Sequence, residues 1–321
     1  KEIDFHRFVL YIGHEFNDRT RFFSEIELEH SLAGDDKPGE IELEQAYVEH
    51  DYLYQHRFKA GLFLVPVGIL NETHEPDTFY GVERNNVEKN IIPTTWWEGG
   101  VAFTGEFARG FSYDAAFHSG LYLDADQDPD SDDPYQPGGD AEWKIRDGRQ
   151  KVAKAKADSW AGTGRLKYTG VKGLEVGLTA QYQQDLYQNT LRDAVPATLI
   201  EGHVAYQIAG FGLRVLGARW DIDDDIEQIK KGANVQQGWY IEPSWRITER
   251  WGVFGRYAFW DNQAGSNNGE AEDTGIAEAH LGVNYWLLPN VVFKFDIQDQ
   301  NPQKSGAKEL DGFNLGVGWS F

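Results

Sequence analysis

Apolar and polar residues alternate along most of this chain. Between residues 21 and 32, Phe22, Ile26 and Leu28 fall on one face, and Glu25, Glu27 and Glu29 on the other. Residues 57–65 set Phe58, Ala60, Leu62 and Leu64 against Arg57, Lys59 and Gly61. Further on, Leu174, Val176, Leu178, Ala180 and Tyr182 alternate with Glu175, Gly177, Thr179, Gln181 and Gln183. Ala279, Leu281, Val283 and Tyr285 alternate with His280, Gly282, Asn284 and Trp286. The last residues repeat the pattern, with Phe313, Leu315, Val317, Trp319 and Phe321 on one row. A period of two belongs to a β-strand whose two faces meet different surroundings.

Three features separate this pattern from a soluble sandwich. Many of the segments run to about ten residues, longer than soluble strands and suited to a tilted membrane strand. The polar faces carry Glu, Gln, Arg and His, which a second packed sheet would not tolerate and a wet lumen does. The connections alternate between short ones (near residues 17–19, 109–110, 170–173, 210, 248–250 and 289–290) and long ones (65–96, 124–159, 185–197, 221–236, 261–274 and 301–310). The pattern predicts an all-β, transmembrane antiparallel β-barrel with long extracellular loops and short periplasmic turns, in one domain over residues 1–321. About fifteen strands are countable. Because a closed antiparallel barrel needs an even number, the expectation is 16 strands with a first upward strand preceding Lys1, and 14 is the alternative.

Composition narrows the class. The chain has 321 residues, 11 of them Trp, no Cys, no Met and a formal charge of −22. Lack of Cys removes disulfides and thiolate chemistry. Lack of Met means that Lys1 is not a translation start, so the expectation is a removed N-terminal segment that includes a secretory signal. The acidic balance opposes nucleic-acid binding. No apolar run approaches the ~20 residues of a membrane helix, while abundant Trp and Tyr suit the two membrane interfaces.

The stretch from Ala60 to Leu70 (AGLFLVPVGIL), followed by Asn71 to Pro76 (NETHEP) and Phe79 to Arg84 (FYGVER), resembles the phosphate-selective porin O and P family. Ile91 to Pro93, Trp96 to Glu98 and Gly148 to Val152 (GRQKV) carry the same resemblance, which extends over the whole chain. It implies an outer-membrane homotrimer of 16-stranded barrels, each with its own pore, and a third long loop folded inward. The phosphate-specific members carry a ladder of arginines. None is traceable here, so the expectation is a general anion or nutrient pore.

Within that frame, Lys144, Arg146, Arg149, Lys151, Lys154 and Lys156 form the sharpest local feature, with only Asp147 as an acid among them. They fall in residues 124–158, the candidate inward-folded constriction loop, and Arg165 and Lys167 extend the basic character onto the next strand. A ring of bases at a narrow point would favour anions. A solvated loop, or a stripe facing lipopolysaccharide phosphates, is the other reading. Glu25, Glu27, Glu29, Glu42 and Glu44 make an acidic pore wall, either opposing those bases across the lumen or pairing laterally with Arg57 and Lys59.

The remaining constellations point to no chemistry. The acidic run 124–133 fails the EF-hand pattern, with Pro129 where Gly is needed and Tyr135 where a bidentate Glu should stand. Glu72, His74, Glu75 and Asp77 match no zinc template, and Pro76 and Pro93 point instead to a rigid plug or a trimer contact. Trp96 and Trp97 fit the interfacial girdle. There is no nucleophile elbow, P-loop or dinucleotide motif, so no enzyme, cofactor or metal is expected. The sequence therefore predicts a Gram-negative outer-membrane porin for passive diffusion of small hydrophilic solutes, with anions preferred. The alternative is a non-channel surface barrel acting as receptor or adhesin.

Overall fold

A computed structural model describes residues 2–31, 39–123, 144–188, 193–223, 232–266 and 273–320. Phe321 and the acidic run 124–133, both singled out above, lie outside the described residues. The strands are β1 (Arg7–Asn17), β2 (Thr20–Glu29), β3 (Ile41–Leu53), β4 (His56–Leu64), β5 (Trp97–Ala108), β6 (Phe111–His118), β7 (Ala161–Tyr168) and β8 (Leu174–Gln183). They continue as β9 (Ala197–Ile208), β10 (Phe211–Ile222), β11 (Val235–Arg246), β12 (Trp251–Asp261), β13 (Ile276–Leu288), β14 (Val291–Pro302) and β15 (Gly312–Trp319). One helical turn, α1 (Val87–Asn90), and a 3-10 turn (Ile145–Gly148) sit in the long connections.

All the strands join one sheet in sequence order, each antiparallel to its neighbours. Most run to ten residues or more, as the alternation predicts. Fifteen strands are described, one fewer than the sixteen expected. β1 and β15 both run toward the short-turn rim, so they cannot pair antiparallel, and among the described residues no ladder joins them. The sheet nevertheless curls until its ends meet: Phe5, just before β1, packs against Trp319 of β15 with ring centroids 6.2 Å apart.

Register shows which residues share a face. One row steps from Arg21 to Glu49, Lys59, Ala102, Ala116, Thr163, Gln181, Leu199, Trp220 and Gln236 around the wall. Its members are buried or half-buried, and it faces inward. On the opposite face Val253, Val283, Phe295 and Leu315 are cross-strand neighbours. Leu315 is 71% exposed and Leu281 61%. A continuous exposed apolar band on a closed sheet is a lipid-facing surface.

One part of the interior departs from the expectation of a wholly wet lumen. Toward the long-loop rim, the inward residues of β9–β12 include, beside the polar Glu201 and Gln236, the apolar set Ala197, Leu199, Leu216, Ala218, Trp220, Ile222, Tyr240, Ala258 and Trp260; the apolar ones carry the packing. They form a dry core with Val65, Val67, Ile91, Ile92 and Trp96. Burial of each large aliphatic side chain there contributes ~1.5–3 kcal/mol. The partner surface is not a second sheet but residues 65–96, folded into the barrel, together with Leu121, Leu123, Ile145, Leu186 and Val195 from other long connections.

Candidate functional site

Residues 65–96, between β4 and β5, cross the interior and are anchored to much of its wall. At the start, the apolar run through Val65 and Val67 enters the dry core. Asn71 then locks the two ends of the segment together. Its amide nitrogen donates to the Val65 and Trp96 carbonyls at 2.8 and 2.9 Å, and its oxygen accepts the Trp96 amide at 2.7 Å.

Charged wall residues hold the middle. Arg165 on β7 bridges Glu72 of the segment and Asp114 of β6. Enclosure in the lumen works to raise the Glu72 pKa, but the Arg165 guanidinium outweighs it and holds the carboxyl below its ordinary value. His74 Nε2 lies 3.1 Å from Glu44 and 3.3 Å from Glu25. Arg214 on β10 donates to the Thr78 carbonyl at 2.8 Å. Lys294 on β14 donates to the carbonyls of Phe79 and Gly81 at 2.7 and 2.8 Å, and Asp296 accepts the Val82 amide at 2.7 Å.

The segment's helical turn is held from inside. Glu88 accepts the amides of Ile69 and Leu70, at 2.6 and 2.9 Å, and the Asn85 side-chain amide at 3.1 Å. Burial raises its pKa despite those donors. Asn86 donates to Glu278 on β13, and the Trp220 indole on β10 to the Ile91 carbonyl. Glycines on β15 admit the chain: a Cβ on Gly316 would meet Val82 at 2.9 Å, and one on Gly318 would meet Pro76 at 2.7 Å.

The predicted basic run has another task. Of the expected constriction loop 124–158, residues 124–143 lie outside the described residues, and within 144–158 Arg146 and Arg149 reach residues 89–95. Arg146 donates to the Lys89 and Thr94 carbonyls at 2.8 and 3.0 Å, and Arg149 to the Thr95 carbonyl at 2.7 Å. Burial first, and each other's charge in the case of Arg146, lowers both pKa values, that of Arg146 to about 10. Lys151 bonds to Glu40 and Glu42. Lys156 lies over the Tyr122 ring at 3.9 Å, and Lys154 is exposed. Lys144 also engages a partner. Lys167 sits 3.9 Å from Glu175.

The acidic wall is divided among partners that spacing did not indicate. Glu25 and Glu44 face His74, Glu27 lies 3.5 Å from Arg7, and Glu42 holds Lys151. The expected lateral pairing of this row with Arg57 and Lys59 is not what forms. Arg57 instead approaches Asp51 at 3.5 Å and Glu49 at 4.0 Å, because register places it opposite Asp51 and diagonal to Glu49 near the short-turn rim. Trp96 and Trp97 are a correction too. Both are buried; Trp96 sits in the dry core with its indole donating to Glu98 at 2.9 Å, and Trp97 pairs with Leu64 on the register face of Val101 and Phe103. The sequence signal for residues 65–96 was the combination of Pro76 and Pro93 with a polar cluster inside an apolar stretch. It gave no indication of which walls the segment would reach.

Toward the short-turn rim the interior is open. Arg21, Arg57, Lys59, Lys167 and Arg214 on the inner row are half-buried or exposed, Arg57 with half of its side chain accessible. The acids Glu15, Asp51, Glu106, Asp114 and Glu175 share this inward face and are likewise half-buried or exposed.

No family model matches the chain. It is 32% identical over 223 residues to an uncharacterized protein of Aquifex aeolicus (strain VF5), a match that takes in 69% of this chain. The chain spans about half the length of that relative, 48%. Among solved structures it is similar to the outer membrane channel DcaP of Acinetobacter baumannii, with TM-score 0.65 and 10% identity over 99% of this chain and 85% of that one. An anion-selective porin from Comamonas acidovorans gives 0.61 and 12%, over 98% and 84%. OmpT of Vibrio cholerae gives 0.57 and 12%, over 98% and 88%. The fold is therefore that of the Gram-negative outer-membrane β-barrels.

Proposed function

We propose that this chain is an outer-membrane porin through which small hydrophilic solutes diffuse passively, with anions preferred, and that it catalyses no reaction. The observation that carries this reading is the accessible, charged inner row toward the short-turn rim, inside a wall whose outer face is apolar. A hydrated lumen spares an ion the large cost of entering hydrocarbon. Residues 65–96, backed by 144–158, narrow the passage. The anion preference rests on Arg57, Lys59, Lys167 and Arg214, with Lys154 and Lys156 at the opposite side of the narrowing. The likeness of the fold to an anion-selective porin and to an outer-membrane channel supports it. Membership of the phosphate-selective porin family and assembly as a homotrimer in lipopolysaccharide-bearing outer membrane complete the proposal. One similar solved barrel is described as a trimer form.

The dry core between residues 65–96 and β9–β12 favours a second reading, a plugged surface barrel acting as receptor or adhesin. Planar-bilayer recording on the folded protein separates the two. Stepwise conductance with a reversal potential displaced toward the anion supports the porin. A correctly folded barrel that inserts and passes no current overturns it in favour of the plugged barrel.

A further inference from the structure

We propose that Glu25, Glu44 and His74 form a binding site for a divalent transition-metal ion, with Zn²⁺ the best fit, which fastens residues 65–96 to the barrel wall. Glu25 comes from β2, Glu44 from β3 and His74 from the segment inside the lumen. All three are buried, at 0%, 2% and 2% exposure. Their donor atoms lie within 4.8 Å of one another.

The orientation of the imidazole is fixed from behind. His74 Nδ1 lies 3.2 Å from the Asn71 carbonyl oxygen, which can only accept, so Nδ1 carries hydrogen. Asn71 is itself locked by its three bonds to Val65 and Trp96. His74 Nε2 therefore points its remaining valence at the two carboxylates. An imidazole held through its other nitrogen by a backbone carbonyl is the usual arrangement of a metal-ligating histidine. Glu25 is braced the same way, its other oxygen accepting from the Gln45 side chain.

The three facing atoms do not satisfy one another. His74 Nε2, Glu25 Oε1 and Glu44 Oε2 are each buried without a hydrogen-bond partner, although Nε2 is only 3.1 and 3.3 Å from the oxygens. The distances are right for a shared cation: with metal–donor bonds of about 2.0–2.2 Å, neighbouring donors stand about 2.9 Å apart in octahedral and about 3.3–3.5 Å in tetrahedral geometry. Charge agrees. A divalent ion with neutral His74 balances both carboxylates; an imidazolium would share that task with the Arg84 guanidinium, whose charge also reaches Glu44. Glu75, whose Oε1 is 3.7 Å from Nε2 and accepts the Tyr11 hydroxyl, is placed to supply a fourth ligand directly or through water. The other acidic trio, Glu29, Glu40 and Glu42, differs because the Lys151 ammonium already occupies it. One imidazole with carboxylates suits Zn²⁺ rather than Ca²⁺ or Mg²⁺, which prefer all-oxygen sites.

The experiment is titration of the folded, chelator-stripped barrel in detergent with Zn²⁺ and, separately, Co²⁺, with X-ray absorption on the loaded protein. One ion per chain bound through one nitrogen and oxygens is expected. Glu25→Gln and His74→Gln should each weaken binding at least tenfold, while Glu40→Gln/Glu42→Gln leaves it unchanged. Wild-type barrel that shows no saturable uptake overturns the proposal. So does an all-oxygen coordination shell, which is read on wild-type protein and stands even if a variant fails to fold.

Discussion

Asp296 on β14 accepts the backbone amide of Val82 at 2.7 Å, across 214 positions of sequence. Beside it Lys294 donates to the carbonyls on either side of Tyr80. These two residues treat the lumen segment as a further strand would, by pairing its backbone, but they do so with side chains. Removing the Asp296 carboxylate leaves a buried amide without an acceptor, at a cost of about 1–3 kcal/mol. Asp296→Ala is therefore expected to speed hydrogen exchange at Val82 by about one to two orders of magnitude while the strands of the wall keep their protection.

Gly316 and Gly318 on β15 are clearances rather than turns. A valine at Gly316 would press on Val82 and one at Gly318 on Pro76. Because overpacking typically costs about 1–3 kcal/mol, the segment is expected to yield before the sheet does. Gly316→Val/Gly318→Val should then fold as a barrel and pass a larger or noisier single-channel current. A current identical to that of the wild type would show that residues 65–96 do not limit the passage.

Arg146 and Arg149 end on backbone carbonyls, whereas Arg57, Lys59 and Lys167 face the open vestibule. Arg146→Gln/Arg149→Gln should lower stability, by about 1.5–3 kcal/mol for each charged hydrogen bond lost, with anion-to-cation permeability unchanged. Arg57→Gln/Lys59→Gln/Lys167→Gln should do the reverse, shifting the reversal potential toward the cation at little cost in stability. The opposite assignment of effects would return selectivity to the basic run of residues 144–156.

Glu72 ties the same segment to Arg165 and is held below its ordinary pKa of 4.5. A depressed carboxyl contributes stability above the unfolded value and loses it as pH falls through the folded one. Protection of residues 65–96 against protease should therefore be constant from pH 7 down to about 4.5 and decline below it. Glu72→Gln should remove the segment's part of that pH dependence.

Leu281 lies in the exposed apolar band of β13. Leu281→Arg should destabilise the barrel in a bilayer by about 2–4 kcal/mol if it sits at mid-depth. Denaturant titration in lipid vesicles measures this. An effect near zero would take β13 out of the hydrocarbon.

The wall was legible in the sequence because alternation is a local property. Leu174 to Gln183 announces one lipid row and one lumen row without reference to any other part of the chain, and β8 has those bounds. The short connections were equally plain. The interior was not. Arg146 and Arg149 read as an anion filter because a run of bases in an acidic chain is conspicuous, yet guanidinium groups donate to carbonyls as readily as they bind ions. Which they do depends on residues 89–95 lying within reach. Trp96 read as an interfacial ring for the same reason, since an aromatic beside a strand carries no mark of whether it points outward or inward.

By itself the sequence determined a long-stranded antiparallel barrel with an oily exterior and a largely polar interior, since a period of two fixes the face of every strand residue. Only the tertiary structure decided that residues 65–96 enter the lumen and that β9–β12 offer them a dry surface. It alone also brought His74 to Glu25 and Glu44. Those contacts join positions some thirty to two hundred residues apart, and no local pattern encodes which parts of a closed wall will face one another across its centre.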